Sequence, residues 1–169
     1  MLYVLSVIAV VIGVALDQFT KYLATSHLKD NPPIVLIDGV FKLQYLENEG
    51  AAFGILQNQQ WLFVIIASIA LILITIIYIR MPRAKRFIPF RISLVAIVAG
   101  AIGNMIDRVA NQYVVDFFYF ELIDFPIFNV ADIYATVSTF ALIFLFLFYY
   151  KEKDFDLIFS SLKLKKKEK

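Results

Sequence analysis

The chain contains no cysteine and a single histidine, His27. The first absence removes disulfides, thiolate metal sites and cysteine nucleophiles together. The second removes any multi-histidine zinc site, and it leaves His27 as the one residue through which a serine–histidine relay could run. No Gly-x-Ser-x-Gly sequence is present and no serine partner for His27 is obvious, so His27 reads as a surface residue at a membrane interface. Charge is missing from long stretches. Met1–Leu16, Trp61–Ile79 and Ile92–Ile106 carry none, and Val130–Tyr150 carries only Asp132.

What fills those stretches is apolar. The chain is 61% hydrophobic with a mean hydropathy of +0.78, whereas soluble domains sit near ~45–50% apolar. A hydrocarbon core about 30 Å thick takes about 20 apolar residues in a helix. The runs therefore predict an all-α membrane protein with four transmembrane helices, near 1–23, 61–79, 90–108 and 130–150. Residues 1–150 form a single membrane domain in this reading, and 151–169 a basic tail. The first run is expected to stay in the protein. It has no basic leader and no small-x-small cleavage site followed by a soluble domain.

Basic residues set the expected orientation. Arg80, Arg83, Lys85, Arg86 and Arg91 lie between the second and third runs, with no acid among them. Lys151, Lys153, Lys163, Lys165, Lys166, Lys167 and Lys169 follow the fourth. Together these are 12 of the 16 basic residues. The positive-inside rule makes both segments cytoplasmic, and four spans then put both termini inside. Segments 24–60 and 107–128 fall outside. Ten of the 14 acids lie between Asp17 and Asp132, in those outer segments or at helix ends bordering them. The lysine tail reads as a topology signal, with contact to anionic lipid headgroups as the other possibility.

The first outer segment carries Asp38-Gly39 between apolar runs, a hairpin signal of the two-residue type I′ kind. It predicts a small extracytoplasmic sheet or hairpin between spans one and two, over about 34–58. Asn48-Glu-Gly50-Ala51-Ala52-Phe53-Gly54 follows, where small residues allow close backbone approach.

Charges beside a span are costly and are functional hypotheses by default. Asp17 and Lys21 share a helix face at i,i+4. An anchoring ion pair and a direct part in chemistry both fit them. Gly100 and Gly103 permit close helix contact, and Asn104, Asp107 and Arg108 occupy the turns that follow. Arg108 reads as structural or substrate-positioning. Asp116, within Val114-Val115-Asp116-Phe117, and Asp132, after Phe128-Asn129-Val130-Ala131, are both acids in apolar surroundings at the lipid boundary. The connection between them is short enough to fold back. Two neighbouring carboxylates titrate as a pair, one keeping its proton while the other acts as base. Such a pair can hydrolyse a peptide bond with an activated water and no covalent intermediate.

Two other classes are compatible with four spans. A proton-coupled transporter would use Asp116 and Asp132 as a relay, but the acids cluster at one face and no inverted repeat of broken helices is visible. A scaffold would tolerate Asp→Asn changes at the outer face.

Five patches, taken in order, resemble the bacterial lipoprotein signal peptidases, the signal peptidase II family. They are Asp17-Gln-Phe-Thr-Lys21, Asn48-Glu-Gly-Ala-Ala-Phe-Gly54, Gly100-Ala-Ile-Gly-Asn-Met-Ile-Asp-Arg108, Val114-Val-Asp-Phe117 and Phe128-Asn-Val-Ala-Asp132. The resemblance implies an intramembrane aspartic endopeptidase of the bacterial cytoplasmic membrane, with its active site at the outer leaflet face. It implies cleavage of diacylglyceryl-modified prolipoproteins just before the lipidated cysteine. Asp116 and Asp132 match the family's catalytic aspartates. Asp17, Lys21, Asn48, Gly54, Asn104, Asp107, Arg108 and Asn129 match its pocket-shaping and substrate-positioning residues. It also implies sensitivity to globomycin-type inhibitors, contact with membrane lipids, no metal or organic cofactor, no nucleic acid and a monomer. The sheet and Asn48–Gly54 are expected to cover the site and exclude water. Ile133 stands where a small residue is frequent in the family.

Overall fold

The computed structural model describes residues 1–50 and 59–162, with the side chains of 159–162 left out. Ala51–Gly54, the last part of the expected cover and with it the site candidate Gly54, lie outside the described residues. Helices α1 (Leu2–Leu28), α2 (Gln60–Arg80), α3 (Ile88–Asn111) and α4 (Val130–Phe144, continued by a π turn over Leu145–Tyr149) form from the uncharged runs. Four helical stretches, Leu2–Leu28, Gln60–Arg80, Lys85–Asn111 and Val130–Tyr149, are long and apolar enough to cross a membrane. Most of their apolar surface stays exposed on the protein, which is what lipid-facing helices require. Helix α3 is the axis, packing against α1, α2 and α4.

A small antiparallel sheet caps one end of the bundle, in the order β1 (Ile34–Ile37), β2 (Phe41–Asn48), β3 (Val114–Phe120). The sequence predicts a sheet confined to the connection between the first two spans. The hairpin is there, but the third strand comes from the connection between α3 and α4. Val114–Phe120 gives no alternation signal because its first four residues are all buried. The hairpin turn also differs from the type I′ expectation. Only Gly39 takes a positive φ (64°), Val40 N–H donates to Ile37 (3.0 Å), and the ladder is irregular between Val35 and Ile37.

At the other end, Phe87, Phe90, Leu94, Leu145, Tyr150 and Met81 form a buried aromatic-rich cluster. Helix α5 (Glu152–Leu162), within the stretch read as a basic tail, packs Phe155 and Ile158 against it. Charge there goes to helix ends. Buried Arg91 donates to the carbonyls of Tyr78 (3.0 Å) and Met81 (2.5 Å), capping the C-terminus of α2. Arg86 bonds Asp154 (2.8 Å) and the Tyr149 carbonyl (2.7 Å).

Candidate active site

Two structural devices bring Asp116 and Asp132 together. First, the chain folds back after β3. Phe117 and Phe118 both donate to the Phe128 carbonyl, at 3.1 and 2.8 Å, and Phe128 N–H returns a bond to Phe118 (3.0 Å). Asp124, in the left-handed region (φ 46°), makes the reversal. This sets Asn129, at the start of α4, beside Asp116 of β3. Second, α4 starts on a capping box. The Asn129 side chain accepts from Asp132 N–H (3.0 Å), and the Asp132 Oδ2 accepts from Asn129 N–H (3.1 Å). The box fixes the Asp132 carboxyl in the first turn.

Asp116 and Asp132 then line one cavity of about 420 Å³, together with Asn48, Gly50, Asn104, Arg108, Phe128 and Ile133 among others. Asp116 is almost fully buried. Its Oδ2 accepts from Asn48 Nδ2 (2.8 Å) and its Oδ1 from Asn129 Nδ2 (2.6 Å). The Asp132 Oδ1 accepts from Asn104 Nδ2 (2.7 Å). Each carboxyl thus lines the cavity with its position held by asparagine amides. Burial pushes the Asp116 carboxyl up to about 7, and the neighbouring Asp132 charge adds to the rise. The amides of Asn48 and Asn129 and the charge of Lys21 oppose it without cancelling it.

Behind the cavity lies a fully ionic core. Lys21 Nζ sits 2.9 Å from Asp17 Oδ2, 2.9 Å from Asp107 Oδ2, and donates to Asn104 Oδ1 (2.9 Å). Asp17 Oδ1 accepts from Ala131 N–H (2.9 Å), tying α1 to the first turn of α4, where a negative charge suits the helix dipole. Asp107 Oδ2 accepts from Val115 N–H (3.2 Å), tying α3 to β3. The i,i+4 pair of Asp17 and Lys21 is therefore a four-element clamp. The glycines permit it. A Cβ on Gly103 would run into the Asp17 carboxylate, and one on Gly100 into the Ala131 carbonyl.

Arg108 lines the cavity with its guanidinium 4.8 Å from the Phe63 ring centroid. It makes only long bonds, to the carbonyls of Asn104 (3.3 Å) and Gly50 (3.4 Å), and its Nε is buried without a partner among the described residues. His27 is exposed in the last turn of α1, bonded to the Leu23 carbonyl, and takes no part.

Of the ten residues singled out in the sequence, nine are described and all nine meet in this cavity and the clamp behind it. Sequence reasoning passed over Gln18, whose Nε2 donates to Asp107 Oδ1 (2.9 Å) and the Gly103 carbonyl (3.2 Å). A polar amide inside the last turns of an apolar helix was the available signal. It also passed over Phe125, Pro126 and Ile127, which wall the cavity and have no marker in a loop.

The chain is similar to known proteins over most of its length. The family Signal peptidase (SPase) II matches residues 8–148. The lipoprotein signal peptidase of Symbiobacterium thermophilum is 43% identical over 145 residues, covering 85% of this chain and 93% of that protein. That of Clostridioides difficile is 40% identical over 149 residues, covering 88% and 97%. A solved bacterial membrane enzyme superposes with a TM-score of 0.75 at 34% identity, covering 87% of this chain and 92% of its own. With four apolar helices of spanning length and this match, the chain is a multi-pass bacterial membrane protein that belongs to the signal peptidase II family.

Proposed function

We propose that this protein is an aspartic endopeptidase that removes the signal peptide from diacylglyceryl-modified prolipoproteins, cleaving before the lipidated cysteine. The observation that carries the reading is the pair Asp116 and Asp132 lining one cavity, with burial pushing the Asp116 carboxyl up to about 7. Asp132, ionised, takes a proton from a water held between the carboxyls. The resulting oxygen attacks the scissile carbonyl. Asp116 donates its proton to the carbonyl oxygen, giving a neutral tetrahedral diol. Collapse breaks the C–N bond, the leaving amine takes a proton from Asp132, and the diol returns one to Asp116. Four protein elements fix the geometry before substrate arrives, so little reorganisation is left for the chemical step.

The rest of the cavity suits the substrate. Arg108 offers an underused guanidinium to a carbonyl or headgroup oxygen. Phe125, Ile127, Ile133 and Val137 give apolar wall for the acyl groups. The basic loop after α2 and the basic tail support cytoplasmic termini, which puts the sheet and cavity at the outer leaflet. A signal peptide is itself an apolar helix, so both it and the lipid can enter sideways from the bilayer. Globomycin-type inhibitors are expected to compete for the cavity, and one chain contains every residue the reaction uses.

The test is cleavage by the purified full-length protein in detergent, with products sequenced by mass spectrometry. The diacylglyceryl-modified substrate should give a new N-terminus at the lipidated cysteine, blocked by globomycin. A product cut elsewhere, or equal cleavage of the unmodified precursor, would overturn the substrate assignment.

A further inference from the structure

A second cavity lies at the opposite end of the bundle and takes no part in the chemistry. Helices α1 and α2 both pack on α3, and a cleft of about 490 Å³ remains between them. Its walls are Val7, Val10 and Val11 of α1, Ile74 of α2, and Val95 and Val98 of α3. Val7 and Val11 are mostly exposed, so the cleft opens sideways to the bilayer.

The few polar groups inside it are already bonded within the protein. The Ser6 and Tyr78 hydroxyls bond each other, and Ser6 also donates to the Leu2 carbonyl (3.1 Å). Thr75 donates to the Leu71 carbonyl (2.7 Å). An occupant is therefore offered no hydrogen bond. That disfavours an extended peptide, whose backbone would be left unpaired in hydrocarbon. An apolar cleft beside lipid also does not stay empty when hydrocarbon can fill it.

The mouth adds charge. Tyr3 sits there with Arg83, whose Nη2 donates to the Tyr3 hydroxyl (3.2 Å) and whose guanidinium lies 5.3 Å from the ring centroid. Arg83 is exposed, and among the described residues no carboxylate pairs with it. The loop it belongs to holds Lys85 and no acid. A guanidinium without a carboxylate partner among the described residues, at the mouth of an apolar cleft, complements a lipid with an anionic headgroup.

We infer that the α1–α2 cleft binds one acyl chain of an anionic phospholipid from the leaflet meeting the α2–α3 loop, with the lipid phosphate on Arg83. The lipid would fill the space between α1 and α2 and brace the two helices at the end remote from the carboxylate pair.

The full-length protein in neutral detergent is titrated with phosphatidylglycerol or with phosphatidylcholine of the same acyl chains, and retained lipid is counted by native mass spectrometry. One phosphatidylglycerol should be retained about fivefold more strongly than phosphatidylcholine, as expected for one basic residue near an anionic surface. Arg83→Gln should bring the two lipids level, and Arg83→Lys should keep the preference. Val10→Phe, which fills the cleft, should weaken both lipids, and Val7→Phe on the open rim replaces it if that variant does not fold. Equal retention of both lipids by the wild type would overturn the assignment, as would a preference that survives Arg83→Gln. So would dimers in place of lipid adducts, or inorganic phosphate alone raising the melting temperature as much as the lipid does.

Discussion

The two ends of the helix bundle handle buried charge in opposite ways. At the aromatic end, Arg91 and Arg86 turn towards backbone carbonyls and one acid, capping the C-terminal ends of α2 and α4. The packing there is carried by Phe87, Phe90 and Tyr150. At the sheet end, Asp17, Lys21, Asp107, Asn104 and Asn129 bond one another across α1, α3, β3 and α4. An apolar core would serve stability as well or better, since replacing a buried ion pair by packed apolar groups is often neutral or stabilising. In the proposed reading the polar network aims two carboxyls into a cavity, so that one end holds the bundle together and the other holds the site.

The contrast is sharpest where one partner is removed. Lys21→Met leaves Asp17 and Asp107 buried together with no cation between them. It should lower stability by about 3–5 kcal/mol and also abolish cleavage. Phe87→Ala, at the other end, should lower stability by a similar ~3–5 kcal/mol through the cavity it leaves. Cleavage per folded molecule should be unchanged. Thermal unfolding in detergent, paired with activity normalised to folded protein, separates the two. If Phe87→Ala lost activity in proportion to Lys21→Met, the division of labour would be wrong.

A smaller effect compares two glycines. Gly103→Ala would drive a methyl group into the Asp17 carboxylate and should destabilise by about 1–3 kcal/mol with loss of activity. Gly39→Ala has open space around it but a positive φ, so it should lose only about 1 kcal/mol and keep full activity. Melting curves and turnover of both variants check this.

The pH dependence is smaller again. The Asp116 carboxyl rises from 3.8 to about 7 on folding. The unfolded chain therefore releases this proton first, and the stability that the protonated group contributes is complete below about pH 4. It is lost as pH rises towards about 7. Melting temperature should fall over that window in the wild type, and the fall should shrink in Asp116→Asn. Above about pH 7 cleavage should decline, because Asp116 no longer carries the proton for the carbonyl oxygen. A flat melting profile in the wild type would remove the raised carboxyl from the account.

Much of this was legible in the residues. The four helices follow from uncharged runs, and the acids at one set of helix ends marked the residues that the fold gathers around one cavity. Asp17 and Lys21 were visible as a pair from their spacing, but the third partner, Asp107, was not, because it comes from another helix. The strand Val114–Phe120 was missed because burial on both faces erases the alternation that marks a strand. Helix α5 reads as tail because it runs into five lysines after Leu162, and Phe155 and Ile158 gain meaning only from the aromatic cluster they cover. The fold-back that joins Phe118 to Phe128 has no local code, yet it sets Asn129 beside Asp116.

The central claim is that Asp116 and Asp132 act together on one water. It is tested most directly by purifying Asp116→Asn, Asp132→Asn and Asp107→Asn beside the wild type and measuring single-turnover cleavage of the lipid-modified substrate. Each chain is first checked for folding by its melting curve and for retained globomycin binding. Both Asp116→Asn and Asp132→Asn should bind, stay folded and cleave about 10²–10⁴-fold more slowly or not at all. A folded Asp116→Asn or Asp132→Asn that cleaves near the wild-type rate would contradict the pair and pass the role to Asp107.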